Sequence, residues 1–293
     1  MPEGLIVKAL SGFYYVQSEG ALIQCRGRGV FRKRKQTPLV GDYVEFEAEN
    51  ETDGYVMAIK ERKNQLNRPP IANVDQAILV FSAKEPDFHT LLLDRFLVHI
   101  EQHDIKPVLI ISKTDLLEAS ERDALTRQVA MYEQIGYPVL YTSTKQADDP
   151  SELLPLLANQ VSVIAGQSGV GKSSLLNALA PEAKIETNEI SRHLGRGRHT
   201  TRHTELLPIG EGLVADTPGF SSLEFTDMEA EDLRFCFPEF LSLMDDCKFR
   251  GCLHDKEPKC AIKDAVETGE VDSFRYKHYL QFLHEIQDQK RRY

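Results

Sequence analysis

Residues 166–174 read GQSGVGKSS and fit the pattern G-x-x-x-x-G-K-[S/T]. The run VSVIA at 161–165 comes directly before and has the β-branched, apolar character of a buried strand. SSLLNALA at 173–180 follows with helical character. A strand, a glycine-rich loop and a helix N-terminus together make a phosphate cradle: successive backbone N–H groups point inward, and glycine permits both the turn and the close approach. Gly166, Gln167, Ser168, Gly169, Val170, Gly171, Lys172, Ser173 and Ser174 are therefore candidate phosphate residues, with Lys172 placed to reach the β- and γ-phosphates and Ser173 to hold Mg2+. The position of the loop is unusual, because about half of the chain precedes it.

A chain of 293 residues with 41% hydrophobic and 27% charged content has room for two or three globular domains. No apolar stretch approaches the roughly 20 residues of a membrane-spanning helix, and MPEGLIVKAL lacks the basic start and apolar core of a leader, so a cytoplasmic protein without membrane contact is expected. Five cysteines, an odd number, argue against a disulfide framework and make a metal the expectation wherever they cluster. The net charge of −10 excludes a uniformly basic nucleic-acid binder and leaves only local patches.

Residues 1–65 alternate in short runs, GLIVKAL, FYYVQ, ALIQCRG, DYVEFEA and GYVMAIK, separated by turn residues. Five strands in this length predict a small antiparallel barrel of the OB-fold kind. Between the third and fourth runs lies RGRGVFRKRKQ, in which Arg26, Arg28, Arg32, Lys33, Arg34 and Lys35 carry charge with no acid among them. Such a run reads either as a solvated loop or as a contact to RNA phosphates, and the interleaved glycines and Phe31 favour the second. Residues 61–73, with Pro69 and Pro70, read as a linker. Over 66–225 the runs QAILVF, KPVLIIS, YPVLYTS and VSVIAG alternate with helical segments, which predicts a doubly wound α/β domain around the phosphate loop. A largely helical third region covers 226–293.

Downstream of the loop, LVADTPGF places Asp216 at a strand end and Gly219 three residues later, the D-x-x-G spacing that senses Mg2+ and the γ-phosphate. The base-reading motif lies upstream instead. ISKTD supplies Ser112, Lys113, Thr114 and Asp115, and YTSTK supplies Ser143 and Thr144 for a short loop near guanine O6. A carboxylate at Asp115 accepts from both N1–H and the N2 amino group of guanine, whereas adenine presents a bare acceptor there, and an unpaired buried carboxylate rejects the wrong base strongly. Base-reading before phosphate-reading is the order of a circular permutation, which a sheet tolerates when the new break falls in an exposed loop. Ser112 stands where the usual pattern has Asn, so the amide that braces the phosphate loop is expected to be missing and nucleotide affinity lowered.

The segment 188–206, NEISRHLGRGRHTTRHTEL, is basic and glycine-containing and reads as a first switch. Thr200 and Thr201 are its candidates for Mg2+ and the γ-phosphate, with Thr201 favoured. Phe220 follows DTPG directly, and an apolar ring cannot orient an attacking water. In the third region Cys247, Cys252, His254 and Cys260, spaced C-x4-C-x-H-x5-C, make a complete tetrahedral donor set suited to a structural Zn2+. Cys25 and Cys236 read as core residues. Arg275, Tyr276, Lys277, Lys290, Arg291 and Arg292 of the last helix read equally as RNA contacts or as a solvated face.

These motifs, in this order and over essentially the whole chain, resemble the RsgA (YjeQ, YloQ/CpgA) family of circularly permuted bacterial GTPases. The resemblance implies an N-terminal OB-fold, a permuted GTPase domain and a zinc-binding C-terminal domain. It implies GTP hydrolysis with Mg2+, one structural Zn2+, rRNA binding, and a role in late maturation of the small (30S) ribosomal subunit with turnover stimulated by that subunit. A monomer is expected. The resemblance also implies His199 as the group that orients the attacking water in place of the glutamine that Ras-like GTPases carry where Phe220 stands. Two other readings remain: a P-loop ATPase or kinase, disfavoured by SKTD and DTPGF, and a zinc-stabilised RNA-binding protein whose nucleotide site barely turns over.

Overall fold

The structure is a computed structural model that describes residues 1–29, 31, 36–50, 52–143, 150–181, 204–216 and 223–291. Five strands, β1 (Glu3–Leu10), β2 (Phe13–Ser18), β3 (Ala21–Gly27), β4 (Tyr43–Ala48) and β5 (Asp53–Ile59), run in the order β1-β2-β3-β5-β4. β4 returns to pair with β1, and this closes a barrel in which β3 and β5 are parallel and the other pairs antiparallel. Alternate residues Ile6, Val16, Ile23, Cys25, Val44, Phe46 and Val56 fill it, as period-two patterning requires. The turns at Ser11-Gly12 and Glu19-Gly20 have positive φ at both positions, the geometry that matches hairpin twist.

Within the basic run the structure separates what the sequence joined. Arg26 belongs to β3, with its guanidinium 5.2 Å from the centre of the Phe13 ring. Phe31 is buried among the barrel side chains, so it serves the core and not RNA contact. Arg28 is exposed, and Arg32, Lys33, Arg34 and Lys35 lie outside the described residues. The expected linker at 61–73 is also ordered: β6 (Gln65–Asn67) and β7 (Pro70–Ala72) form a hairpin that buries Leu66 and Ile71. Asn73 donates its amide to Gly41 O at 2.8 Å, and Arg62 grips the fully buried Asp42 with two hydrogen bonds of 2.7 Å. The prolines concealed this hairpin because Pro69 sits in its turn and Pro70 opens a very short strand, the two places a sheet tolerates them.

Six further strands continue the sheet: β8 (Gln76–Ser82), β9 (Lys106–Ser112), β10 (Val139–Tyr141), β11 (Val161–Ala165), β12 (Glu205–Ile209) and β13 (Gly212–Asp216). Their order is β10-β9-β8-β11-β13-β12, parallel except for the β12–β13 hairpin. β8 shows why both faces are covered. Ala77, Leu79 and Phe81 meet the core under α1 (Thr90–Glu101) and α2 (Ala119–Ile135), while Ile78 and Val80 meet Leu175 and Leu176 of α3 (Lys172–Leu179). The phosphate-loop strand β11 is central, with strands from earlier in the chain on one side and later ones on the other. The residues before the loop therefore include half of its own sheet. The barrel is joined to the far edge, where Lys8 of β1 opposes Glu205 of β12 and their side chains pair at 2.8 Å.

The C-terminal region holds α4 (Ala261–Thr268) and α5 (Ser273–Arg291) around a second core that includes Phe225, Phe237, Phe240, Tyr279 and Phe282, together with Val98 of α1. Arg275 is fully buried there and so is neither a solvated nor an RNA-facing residue. It donates to Asp94 at 2.6 Å and to Glu239 at 2.7 and 3.1 Å, and Asp94 also receives Tyr132 at 2.7 Å and His278 at 2.5 Å. Burial alone would lower the Arg275 guanidinium, but Asp94 and Glu239 outweigh it and hold it above the usual arginine value. Among the described residues no helix is long and apolar enough to cross a membrane.

Candidate nucleotide site and metal centre

The parallel strands β8, β9, β10, β11 and β13 end on one edge, at Ser82, Ser112, Tyr141, Ala165 and Asp216, which is where open α/β sheets take ligands. Gly166 opens the loop with φ +142, and a Cβ there would lie 2.1 Å from Val80 O, so only glycine lets the loop leave β11 this close to β8. Gly171, at φ +96, turns the chain into α3. Lys172 is the first residue of that helix, and its ammonium donates to Gly166 O at 2.8 Å and Gln167 O at 2.6 Å. Burial pushes its pKa down. Gln167, Ser168 and Gly169 are exposed at the loop tip, Val170 is fully buried beneath them, and Ser173 and Ser174 lie in the first turn of the helix.

The upstream motif meets this loop. Ser112, buried at the end of β9, donates its hydroxyl to Val170 O at 2.6 Å. The brace expected to be lost with asparagine is therefore present, made by a shorter side chain. Lys113 adopts a left-handed backbone conformation with φ 57, and its ammonium donates to Glu85 O. Thr114 donates to Thr142 O at 3.4 Å. The Asp115 carboxylate accepts a 2.6 Å hydrogen bond from Ser143, which is itself buried. This role of Ser143 was not legible from YTSTK. A hydroxyl two residues beyond an apolar run, on the strand beside the acidic motif, is the signal that could have suggested it. Asp216 ends β13 opposite Glu205 of β12. The Asp216 side chain and Thr144, His199, Thr200, Thr201, Gly219 and Phe220 lie outside the described residues.

The four predicted metal ligands converge. One donor atom from each of Cys247, Cys252, His254 and Cys260 lies within 4.8 Å of all the others. Cys247 Sγ is 3.6 Å from His254 Nδ1 and 3.9 Å from Cys260 Sγ, and His254 Nδ1 is 3.3 Å from Cys260 Sγ. Those edges fit a tetrahedron with metal–sulfur bonds of about 2.3 Å and a metal–nitrogen bond of about 2.0 Å. Burial holds the imidazole neutral, with its pKa pushed down to about 4, as a ligand requires. Burial also pushes the Cys252 thiol up to about 12 and raises Cys260, so thiolates there need a cation to offset them. Tyr276 and Tyr279 of α5 donate to His254 O and Leu253 O, at 2.6 and 2.8 Å, and fix the backbone that presents the imidazole.

Comparison with known proteins accounts for both halves. The RsgA N-terminal domain family matches residues 3–56, and the RsgA GTPase family matches residues 59–226. The chain belongs to the RsgA GTPase family. A protein of Bacillus cytotoxicus named Small ribosomal subunit biogenesis GTPase RsgA is 62% identical over the full length of both chains. Its namesake in Bacillus subtilis is 59% identical over the same share. A crystal structure described as YloQ, a circularly permuted GTPase, superposes with TM-score 0.86 at 54% identity, covering 99% of this chain and 96% of that one. YjeQ from Thermotoga maritima gives the same TM-score at 37% identity, with 97% and 98% covered. Membership of the RsgA GTPase family thus extends over the barrel, the permuted sheet and the cysteine cluster.

Proposed function

We propose that this chain is a GTP-hydrolysing switch that binds rRNA and assists late maturation of the small ribosomal subunit. The observation that carries the proposal is the Ser112–Val170 hydrogen bond: it draws the segment holding Asp115 and the loop 166–174 onto one sheet edge, so that one nucleotide can span both. The relatives' names support the ribosomal part. In this reading the loop N–H groups and Lys172 take the phosphates, and leaving the carbonyls of its own loop is the cost Lys172 meets on binding. Ser173, with Asp216 and Thr201, holds Mg2+, which when bound neutralises charge on the β- and γ-phosphates. Gly219 senses the γ-phosphate.

Asp115, oriented by Ser143, accepts from N1–H and the N2 amino group of guanine. Ser143 and Thr144 flank O6, Thr114 fixes the turn, and the stem of Lys113 covers the base. Phe220 leaves the attacking water without a glutamine, and His199 is assigned that task. Cys247, Cys252, His254 and Cys260 hold one Zn2+ that stabilises the region 226–293 without taking part in hydrolysis. Arg26 and Arg28, with Arg32, Lys33, Arg34 and Lys35, meet rRNA phosphates from the barrel region 1–65, and the region 66–225 between them forms the GTPase domain. The protein works as a cytoplasmic monomer.

Competition for a fluorescent guanine nucleotide tests the reading. GTP and GDP should displace it orders of magnitude better than ATP and ADP, because adenine leaves the Asp115 carboxylate unpaired. Equal displacement by ATP would favour a P-loop ATPase or kinase instead.

A further inference from the structure

One face of α1 and the residue that caps its C-terminus carry polar side chains at helical spacing, Arg95, His99 and Gln102, and all three meet a single strip of chain, Leu223–Asp227. Arg95 donates to Leu223 O at 3.2 Å, the His99 ring stacks on Phe225 with centroids 5.0 Å apart, and Gln102 donates to Asp227 O at 3.1 Å. The same Arg95 guanidinium forms a two-pronged pair with Glu285 of α5 at 2.8 and 2.6 Å and lies 4.8 Å from the centres of both Phe225 and Phe282. One side chain therefore joins three elements. These are α1, which leads into the strand of the Ser112–Asp115 motif, the strip that follows the Asp216–Phe220 motif after only residues 221–222, and the helix whose tyrosines support the cysteine cluster.

We propose that Arg95, His99 and Gln102 are positioning residues for the subunit-stimulated step of hydrolysis and not for basal turnover. They clamp the exit of the Asp216–Phe220 motif against the GTPase sheet and tie it to α5, so that the load on the C-terminal region when it meets the subunit sets the register of the hydrolytic motif. This rests on the GTP-hydrolysing reading above. The chemistry suits the task, since a guanidinium fork paired with a carboxylate and resting against the adjoining Phe225 and Phe282 rings has one preferred orientation and passes on a small displacement instead of absorbing it. A lysine offers a point charge in its place. A displacement of about 1 Å at a reacting centre costs on the order of 100-fold in rate, which is the leverage such a clamp has over turnover.

The full-length chain tests this with Arg95→Met, Arg95→Lys, Gln102→Leu and Glu285→Gln. Each is measured for fluorescent GDP affinity, basal turnover, and kcat and KM for GTP with purified small ribosomal subunits. Arg95→Met should retain GDP affinity and basal turnover within about threefold, and lose about 10- to 100-fold of the subunit-stimulated kcat with KM for GTP little changed. Arg95→Lys should recover part of that loss. Glu285→Gln and Gln102→Leu, milder changes that keep the guanidinium, should fall in the same direction by less, and they decide the matter if Arg95→Met does not fold. Unchanged stimulated turnover in the folded variants overturns the proposal, as does a loss of GDP affinity in step with turnover, which would mark the clamp as structural only. Failure of the unaltered chain to bind GDP would remove the nucleotide reading beneath it, an outcome distinct from either.

Discussion

At the nucleotide edge, neighbouring groups are held by backbone conformation and small hydroxyls: Gly166 at φ +142, Ser112 on Val170 O, Ser143 on Asp115. In the C-terminal region they are held by buried charge and buried thiols, with Arg275 between Asp94 and Glu239 and four metal donors packed beside Phe240 and Tyr279. The contrast follows from what each part must do. A loop that exchanges a polyanion keeps its donors near water and loses little when one contact is removed. A small region with a limited apolar core gains stability from groups that are costly to bury unless every partner is present, so it should fail as a unit.

The comparison breaks most easily at the metal. Chelation, or Cys252→Ser, should unfold the region beyond about residue 240, since metal binding in such sites contributes on the order of 10 kcal/mol. Limited proteolysis should then cut there first while GDP affinity stays largely intact; coincident loss of GDP binding would mean the two regions do not differ in this way. Arg275→Met comes next. It strands Glu239 and leaves Asp94 charged and buried, with Tyr132 and His278 as its remaining side-chain partners among the described residues, and should cost about 3–5 kcal/mol in denaturant unfolding. The double change with Asp94→Asn should cost less than Arg275→Met alone, because one of the two carboxylates stranded by the loss of Arg275 is then neutral and Glu239 alone remains. Smallest is Ser112→Ala, which deletes one hydrogen bond to the loop and should cost about 1 kcal/mol, read as weaker GDP binding more than as a lower melting point.

Legibility in the sequence follows the same divide. The phosphate loop, the ISKTD turn and the cysteine cluster each lie within one short segment, so spacing alone pointed to them, and the strands of the barrel and sheet were visible as alternating or continuous apolar runs. What escaped depends on contacts between distant segments. Arg275 reads as one cation among several in a polar helix until Asp94, 181 positions away, is seen to be buried against it. Ser112 looked like a lost brace because its partner Val170 lies 58 positions on and its own reach is short. Phe31 sits among cations in the chain but among the buried barrel side chains in space, and the hairpin at 65–72 is too short to show a period. No local pattern reports any of these.

Hydrolysis of GTP, followed with and without purified small ribosomal subunits over a range of salt, tests the central claim most directly. A basal rate that is slow for want of a glutamine at Phe220, rising by orders of magnitude with subunits, falling back as salt weakens the Arg26–Lys35 contacts and absent in Lys172→Ala, is the predicted result. Equal turnover with and without subunits at every salt concentration would contradict it and leave a passive RNA-binding protein with an idle nucleotide site.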